Sequence, residues 1–194
     1  MKNIYFQPTK ENVNDLYYDA MELLDGNRSD IKKAEKLLNR ALEIDAHNAQ
    51  THIGFVHVYG SMKNKNKAEE HIQKAYDETL RKFSAWPRRM EWGDMDNRAY
   101  MRAIQYRADL HADEGEKEKA IELYRLLLKL NPNDNQGVRY TISEILERTQ
   151  NMKIKNLLAL NKIEGPKVLA GKKVEGEFFF NNNGSEILKF DIWE

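Results

Sequence analysis

The 194-residue sequence contains no cysteine, which excludes disulfide bonds and metal sites built on thiolates. It also has no excess of either charge, because 31 lysine and arginine residues balance 31 aspartate and glutamate residues. A chain of zero formal charge has no general electrostatic attraction for nucleic acid or for an acidic membrane surface. We therefore expect neither nucleic acid nor a membrane as its partner.

Long apolar runs are absent as well. No stretch approaches the roughly 20 apolar residues of a membrane-spanning helix. The segment Met1–Pro8 lacks the apolar core of a signal peptide. We therefore expect a cytoplasmic protein.

Catalytic and metal-binding motifs are also missing. The sequence has no HExxH motif, Walker loop, GxSxG elbow or Rossmann glycine pattern. His52 and His57 are five positions apart, whereas a helical zinc pair is spaced by four. The acidic run over residues 91–96 lacks the spacing of a calcium loop. The sequence therefore predicts no enzyme activity, no cofactor and no metal site.

What the sequence does contain is a repeat of 34 residues. The segment Ala34–Ala41 aligns with Ala68–Ala75, so that each alanine recurs 34 positions later. A third copy begins at Ala120 and has Leu127 in place of the second alanine. A period of 34 with small residues seven apart is typical of a helical-hairpin repeat, in which small residues allow two helices to approach closely.

Apolar residues at helical spacing predict seven helices along the chain. We predict them over about residues 13–25, 31–44, 49–62, 67–83, 98–113, 117–130 and 135–150. Polar residues before the first, second and last of these helices are the expected N-caps. They are Thr9 or Asn12, Ser29 or Asp30, and Asp134.

The repeats resemble tetratricopeptide repeats (TPRs), in which large, small and aromatic residues recur at fixed positions. Those positions hold His52, Phe55, Val56, Tyr59, Ala68, Ile72 and Ala75 in the second repeat, and Ile104, Ala108, Ala120, Tyr124 and Pro132 in the third. Arg107 and His111 of the third repeat depart from the pattern, which has apolar residues there. The resemblance implies an all-α superhelix of antiparallel helix pairs over residues 13–160, with about three repeats and a terminal helix.

The repeat is interrupted once. Ala68 and Ala120 are 52 positions apart, which is 18 more than one repeat. The extra residues cover about 83–100. Their large aromatic and basic side chains include Trp86, Arg88, Arg89 and Trp92. Inserted loops often form part of a binding face, whereas tryptophan usually buries most of its surface. Two alternatives stay open: these rings bind a partner, or they fill the space between the second and third repeats.

Short β-structure is predicted outside the helices. Residues 1–12 form an extended lead-in, and residues 161–194 form a β-hairpin tail. Strands over 173–180 and 187–193 flank the turn signal Asn181–Ser185. Because a two-stranded hairpin is marginal alone, it is expected to dock on the helices, pair with the N-terminal strand, join another chain or begin a longer domain.

The resemblance also implies a concave groove, lined by the first helix of each pair. By register, its residues are Tyr17, Gln50, Ile53, His57, Arg102, Gln105, Asp109, Gln136 and Arg139. Arginine can hold a carboxylate through two hydrogen bonds, so Arg102 and Arg139 suggest an extended peptide or an acidic chain end as ligand. The alternative is that these arginines pair with Asp109, Asp113 or Glu147 on the same surface.

Two functions follow from these expectations. The first is a non-enzymatic module that binds a protein or peptide partner in the groove. The second is a structural scaffold that forms a homodimer through the hairpin residues 173–193. In the second case the repeats act as a spacer.

Overall fold

The computed structural model describes the backbone of residues 11–161, 178–180 and 186–188 and the side chains of residues 11–149. Seven α-helices occupy this described part. They are α1 Val13–Glu22, α2 Arg28–Ile44, α3 Ala49–Ser61, α4 Lys65–Lys82, α5 Met95–Asp113, α6 Lys117–Leu130 and α7 Val138–Asn161. Consecutive helices pack as pairs, α1 with α2, α3 with α4 and α5 with α6. The predicted all-α fold of repeated helix pairs is confirmed.

Asparagine side chains begin the first four helices. Each accepts a hydrogen bond from a backbone N–H two or three residues further on, which is the role of an N-cap. They are Asn12, Asn27, Asn48 and Asn64. The prediction of Asn12 is confirmed. The prediction of Ser29 or Asp30 is wrong, because Asn27 caps α2 and the Asp30 carboxylate accepts from the Asn27 N–H to complete a capping box.

The repeated alanines lie at helix contacts. Four of them, Ala34, Ala41, Ala75 and Ala120, have no exposed surface. Ala68 is partly buried. Because alanine adds only a methyl group to the helix surface, the helices on either side can approach closely.

Gly54 of α3 marks a still closer approach. A methyl group at this position would lie 2.8 Å from a methyl carbon of Leu38 on α2 and 3.2 Å from the ring of Tyr17 on α1. Leu38 is fully buried and Tyr17 nearly so, so neither side chain has free space to move into. Three helices of the first two repeats therefore meet at a residue without a side chain.

The apolar core has two main parts. One surrounds Phe55 between α1, α2 and α3. The other surrounds Tyr124 and includes residues of α5, α6 and α7. A smaller cluster of Ile53, Ala75 and Ala103 lies between α3, α4 and α5, so the repeats are joined by continuous apolar contact.

His52 of α3 and His71 of α4 form a buried pair. Their Nδ1 atoms are 3.1 Å apart, so one ring donates its N–H to the other. The His71 ring also stacks on Phe55, with centroids 4.4 Å apart. Burial, together with the neighbouring His52, lowers the pKa of His71 to about 4. Burial also lowers the pKa of His52, and both rings are neutral at pH 7.

The inserted segment is a loop over residues 83–94, and α5 begins directly after it at Met95. Residues 95–100, which were predicted within the insertion, are therefore helical. Met90 is buried, and its N–H donates to the Leu130 carbonyl oxygen at 2.8 Å. Trp86 and Trp92 are partly buried and pack against the core around Tyr124. The tryptophan rings therefore contribute to the packing of the third repeat.

Helix α7 begins at Val138, three residues later than predicted. Asp134 and Gly137 have positive φ angles of 53° and 70°, so the chain turns sharply between them. The Asp134 carboxylate accepts hydrogen bonds from the N–H groups of Val138 and Arg139 at 2.8 and 3.2 Å. The side chain of Asp134 therefore caps α7 from the other side of the turn. Aspartate is suited to this position because it tolerates the left-handed backbone that the turn requires.

Two short strands lie within the predicted tail. Strand β1, Phe178–Phe180, pairs antiparallel with β2, Glu186–Leu188, and Phe179 is opposite Ile187. The remaining residues of the predicted hairpin, and residues 1–10 of the predicted lead-in, lie outside the described residues.

The close contact at Gly54 generates a first prediction. We expect Gly54→Ala to lower the free energy of unfolding by about 1–2 kcal/mol, because overpacking outweighs the higher helix propensity of alanine. Gly60→Ala is the matched control, since nothing lies within 4 Å of a methyl group there. It should raise stability by roughly 0.5–1 kcal/mol. Urea unfolding measures both, and a Gly54→Ala protein as stable as wild type would contradict the contact.

The buried histidine pair generates a second prediction. The pKa of His71 is 6.5 in an unfolded chain and about 4 in the fold. The unfolded chain therefore binds more protons between these values, and stability is lost as the pH falls through this range. We expect a loss of roughly 1–2 kcal/mol between pH 6.5 and 4, measured by urea unfolding.

His71→Gln should flatten this pH dependence, because glutamine has no proton to gain in that range. His47→Gln is the control, since His47 is exposed and its contact with Glu78 at 2.9 Å lies at the surface, so that the buried pair is retained and the profile should change less than in His71→Gln. A His71→Gln profile as steep as that of the wild type would show that another group is responsible.

Candidate partner-binding groove

One face of α5 carries four polar and aromatic side chains at helical spacing. They are Arg102, Tyr106, Asp109 and Asp113, and we call them the α5 stripe. Residues three or four positions apart share one face of a helix. Helix α5 packs against α3, which packs against α1. The three first helices of the repeats therefore lie side by side, and the stripe adjoins α3.

Arg102 lies among aromatic rings from several elements. Its guanidinium is 5.9 Å from the centroid of Trp92. Burial lowers the pKa of His57, and the positive charge of Arg102 lowers it further. Burial raises the pKa of Tyr17 and of Tyr106, and in both cases Arg102 opposes that effect. The charge of Arg102 therefore acts on residues of α1, α3 and α5, and its guanidinium lies over a ring of the inserted loop.

No carboxylate pairs with Arg102 in the part of the chain that the structure describes. It does not pair with Asp109, Asp113 or Glu147, the acids considered from the sequence. Its neighbour Arg98 differs, because the Nε–H of Arg98 donates to the Trp92 carbonyl oxygen at 2.8 Å. Among the described residues no group accepts a hydrogen bond from Arg102, and a guanidinium binds a carboxylate through two parallel hydrogen bonds.

Asp109 lies further along the stripe. Its Oδ1 atom accepts a hydrogen bond from the Tyr124 hydroxyl at 2.6 Å. Burial raises the pKa of Asp109, and the negative charge of Asp113 raises it further. No cation pairs with either aspartate among the described residues. The stripe is therefore positive at its N-terminal end and negative at its C-terminal end.

Tyr106 connects the two ends. Its hydroxyl is 3.5 Å from Nε2 of His57, and the two rings meet edge to face with centroids 6.0 Å apart. Because the pKa of His57 is lowered, its ring is neutral at pH 7. The middle of the α5 stripe, with His57 beside it, thus offers aromatic surface and neutral hydrogen-bonding groups.

Comparison with known protein families finds a match to part of this scaffold. A family model of the tetratricopeptide repeat matches residues 101–134, which run from the N-terminal half of α5 through α6 to the cap of α7. The match and the packed helix pairs support a TPR-like fold. TPRs generally mediate protein–protein interaction. No curated protein sequence matches the chain.

Arg139 of the TPR-like chain lies apart from Arg102. Its guanidinium donates to the Pro132 carbonyl oxygen at 2.7 Å and is 3.6 Å from the Asp134 carboxylate. It lines a cleft with residues of α6, among them Glu122 and Leu126. The two arginines share no neighbour among the described contacts, so the structure does not bring them together.

Three other residues predicted for the groove lie elsewhere. Tyr17 is only 5% exposed and Ile53 is fully buried, so both belong mainly to the core. Gln50 lines a cavity of about 690 Å³ at the N-terminal ends of α1, α3 and α5. Side chains of both charge signs line that cavity, so it shows no preference for an anion or a cation.

Gln105 and Gln136 have a structural role in the TPR-like fold. The Gln136 amide donates to Gln105 Oε1 at 2.6 Å and to the Met101 carbonyl oxygen at 3.2 Å. These bonds attach the turn before α7 to α5. They lie beside the groove and fix the position of the terminal helix.

One group of described side chains has the composition of a metal site. His111, Glu114 and Glu116 place potential ligand atoms within 4.8 Å of one another at the end of α5. His111 Nδ1 is 2.6 Å from Glu116, and Lys119 is 2.8 Å from the other oxygen of that carboxylate. The hydrogen bond between His111 and Glu116 and the ion pair between Lys119 and Glu116 account for the arrangement.

The inserted loop contributes one ring to the groove. Trp92 contacts Arg98 and Arg102, whereas Arg88 and Arg89 are exposed at the surface.

Tyr106 and Asp113 were not assigned to the groove from the sequence. Their spacing of four and eleven positions from Arg102 on one helix is the signal that identifies them.

None of the described helices is long and apolar enough to cross a membrane.

Proposed function

We propose that the chain is a non-enzymatic peptide-binding module, in which Arg102 binds a carboxylate of an extended partner segment. The observation that carries this proposal is the environment of the Arg102 guanidinium. It is partly buried beside aromatic rings and has no carboxylate partner among the described residues. A partly desolvated cation without a counterion is unfavourable, and a ligand carboxylate would remove that penalty.

The middle of the groove suits the backbone of a peptide. The Tyr106 hydroxyl and the neutral ring of His57 provide one donor or acceptor each, 3.5 Å apart. Peptide N–H and C=O groups need such partners once they leave water. The aromatic faces of Tyr106 and Trp92 provide apolar contact beside them.

The charges of the stripe favour a carboxylate over a phosphate. A phosphate monoester carries a charge of about −1.5 to −2 at neutral pH. A phosphate would be attracted by the guanidinium of Arg102, but it would also be repelled by the carboxylates of Asp109 and Asp113 on the same face of α5. A carboxylate, with a single negative charge, balances the single guanidinium of Arg102.

The proposal predicts a specific dependence on Arg102. We would pan a phage-displayed library of random decapeptides, including a set with free C-termini, against the wild-type chain. Peptides with Asp, Glu or a free C-terminal carboxylate should be enriched. Arg102→Ala should weaken binding of an enriched synthetic peptide roughly 10- to 100-fold, because a hydrogen bond to a charged group contributes about 1.5–3 kcal/mol. Calorimetry measures the affinity.

Arg139→Ala is the matched control, since it removes the same side chain from outside the groove. It should leave the affinity unchanged, and circular dichroism should show both variants folded. Enrichment of peptides without an acidic group, or equal affinity of Arg102→Ala and wild type, would contradict the proposal.

Self-association is a second candidate function. Strands β1 and β2 pair only with each other in the described part of the chain, and a sheet of two strands is marginal in water. A second copy could extend it by pairing at an edge.

If residues 173–193 mediate such pairing, the full chain should be a dimer and a chain that ends at Gly165 a monomer. Light scattering measures both masses. A full chain that is monomeric at high concentration would rule out this function.

A further inference from the structure

A small cleft lies between α3, α4 and the C-terminal half of α5. It has a volume of about 220 Å³ and adjoins the groove through Tyr106. Its apolar lining consists of Val56, Ala68, Ile72 and Leu110. Its charged lining consists of Lys65, Glu69, Asp109 and Asp113.

The charges of the cleft are not balanced. One lysine faces three carboxylates, and Lys65 lies 3.4 Å from Glu69, with which it pairs. Asp109 and Asp113 therefore remain without a cation among the described residues. Asp109 is half-buried, and its raised pKa reflects the unfavourable burial of its charge. A cation that enters the cleft would be attracted to both aspartates.

The size of the cleft selects a side chain over a free small molecule. Sites for small molecules usually measure about 300–1,000 Å³, which exceeds this volume. The cleft is equivalent to about seven water molecules at roughly 30 Å³ each. That space accommodates the five heavy atoms of a lysine side chain or the seven of an arginine.

We infer that this cleft binds a lysine or arginine side chain of the peptide whose carboxylate binds Arg102. The aliphatic part of that side chain packs against Val56, Ile72 and Leu110, and its cationic group binds Asp109 and Asp113. Long basic side chains are suited to such a site, because they combine an apolar stem with a charged end. The inference rests on the proposed function and specifies the chemistry of its ligand.

The geometry of α5 fixes the spacing of the two charges in the ligand. Asp109 is seven positions and Asp113 eleven positions from Arg102, which corresponds to about 10 and 16 Å along a helix that rises 1.5 Å per residue. An extended peptide advances about 3.3 Å per residue. The acidic and basic groups of the ligand are therefore about three to five residues apart.

A charge-exchange experiment tests the inference. One decapeptide enriched on the wild-type chain is synthesised in two forms. The basic peptide keeps its lysine or arginine, and the norleucine peptide has norleucine at that position. The wild-type chain should bind the basic peptide roughly tenfold more tightly, by calorimetry. The variant with both Asp109→Asn and Asp113→Asn should bind the two peptides equally. The asparagine introduced at position 109 can still accept the hydrogen bond from Tyr124, so the fold is retained.

Glu118→Gln is the control, because it removes a carboxylate from the exposed surface of α6 and should preserve the preference for the basic peptide. If the enriched peptides carry an acidic residue but no basic residue at this spacing, the inference about the cleft is wrong, whereas the proposed function is unaffected. The inference is also wrong if the variant with both Asp109→Asn and Asp113→Asn still prefers the basic peptide to the norleucine peptide. The proposed function fails separately, if binding depends neither on the acidic group nor on Arg102.

Discussion

Close helix packing at residues with little or no side chain determines the geometry of this chain. Ala34, Ala41, Ala75 and Ala120 are fully buried, and Gly54 lies where α1, α2 and α3 meet. The alanine positions recur with the 34-residue repeat, and the helix pairs pack against one another along the chain. The first helices of the pairs then lie side by side, and residues that are distant in sequence share one surface. That shared surface is a consequence of the packing, since no single helix could form it.

The sequence predicts this architecture well because close packing restricts residue type. Small residues are favoured where two helices approach closely, so the 34-residue period is visible without any structure. Helix ends are less restricted, since several polar residues can cap within the same few positions. Asn27 and Ser29 are both suitable N-cap residues, and the local backbone geometry decides which of them caps α2. The late start of α7 depends on the left-handed backbone at Asp134, which composition does not specify.

The candidate site was predictable where a helical register decides position, as for Arg102. Register does not show how deeply a side chain is buried, which is why Tyr17 and Ile53 appeared as ligand contacts. It also does not show which local acceptor will bind a charged group. Arg139 follows the turn that begins at Pro132, and the carbonyl oxygen of that proline holds its guanidinium. Zero net charge likewise conceals the separation of charge along α5.

The contact of the inserted loop with α6 affects how the chain folds. Contacts in helical-repeat proteins are mainly between neighbouring units, so segments can form and unfold stepwise along the chain. The hydrogen bond from Met90 to Leu130 joins positions 40 residues apart, and the loop rings pack on the same core. Closing this loop before the contact forms carries an entropic cost. We therefore expect the loop and the third repeat to unfold together, as a unit larger than a single repeat.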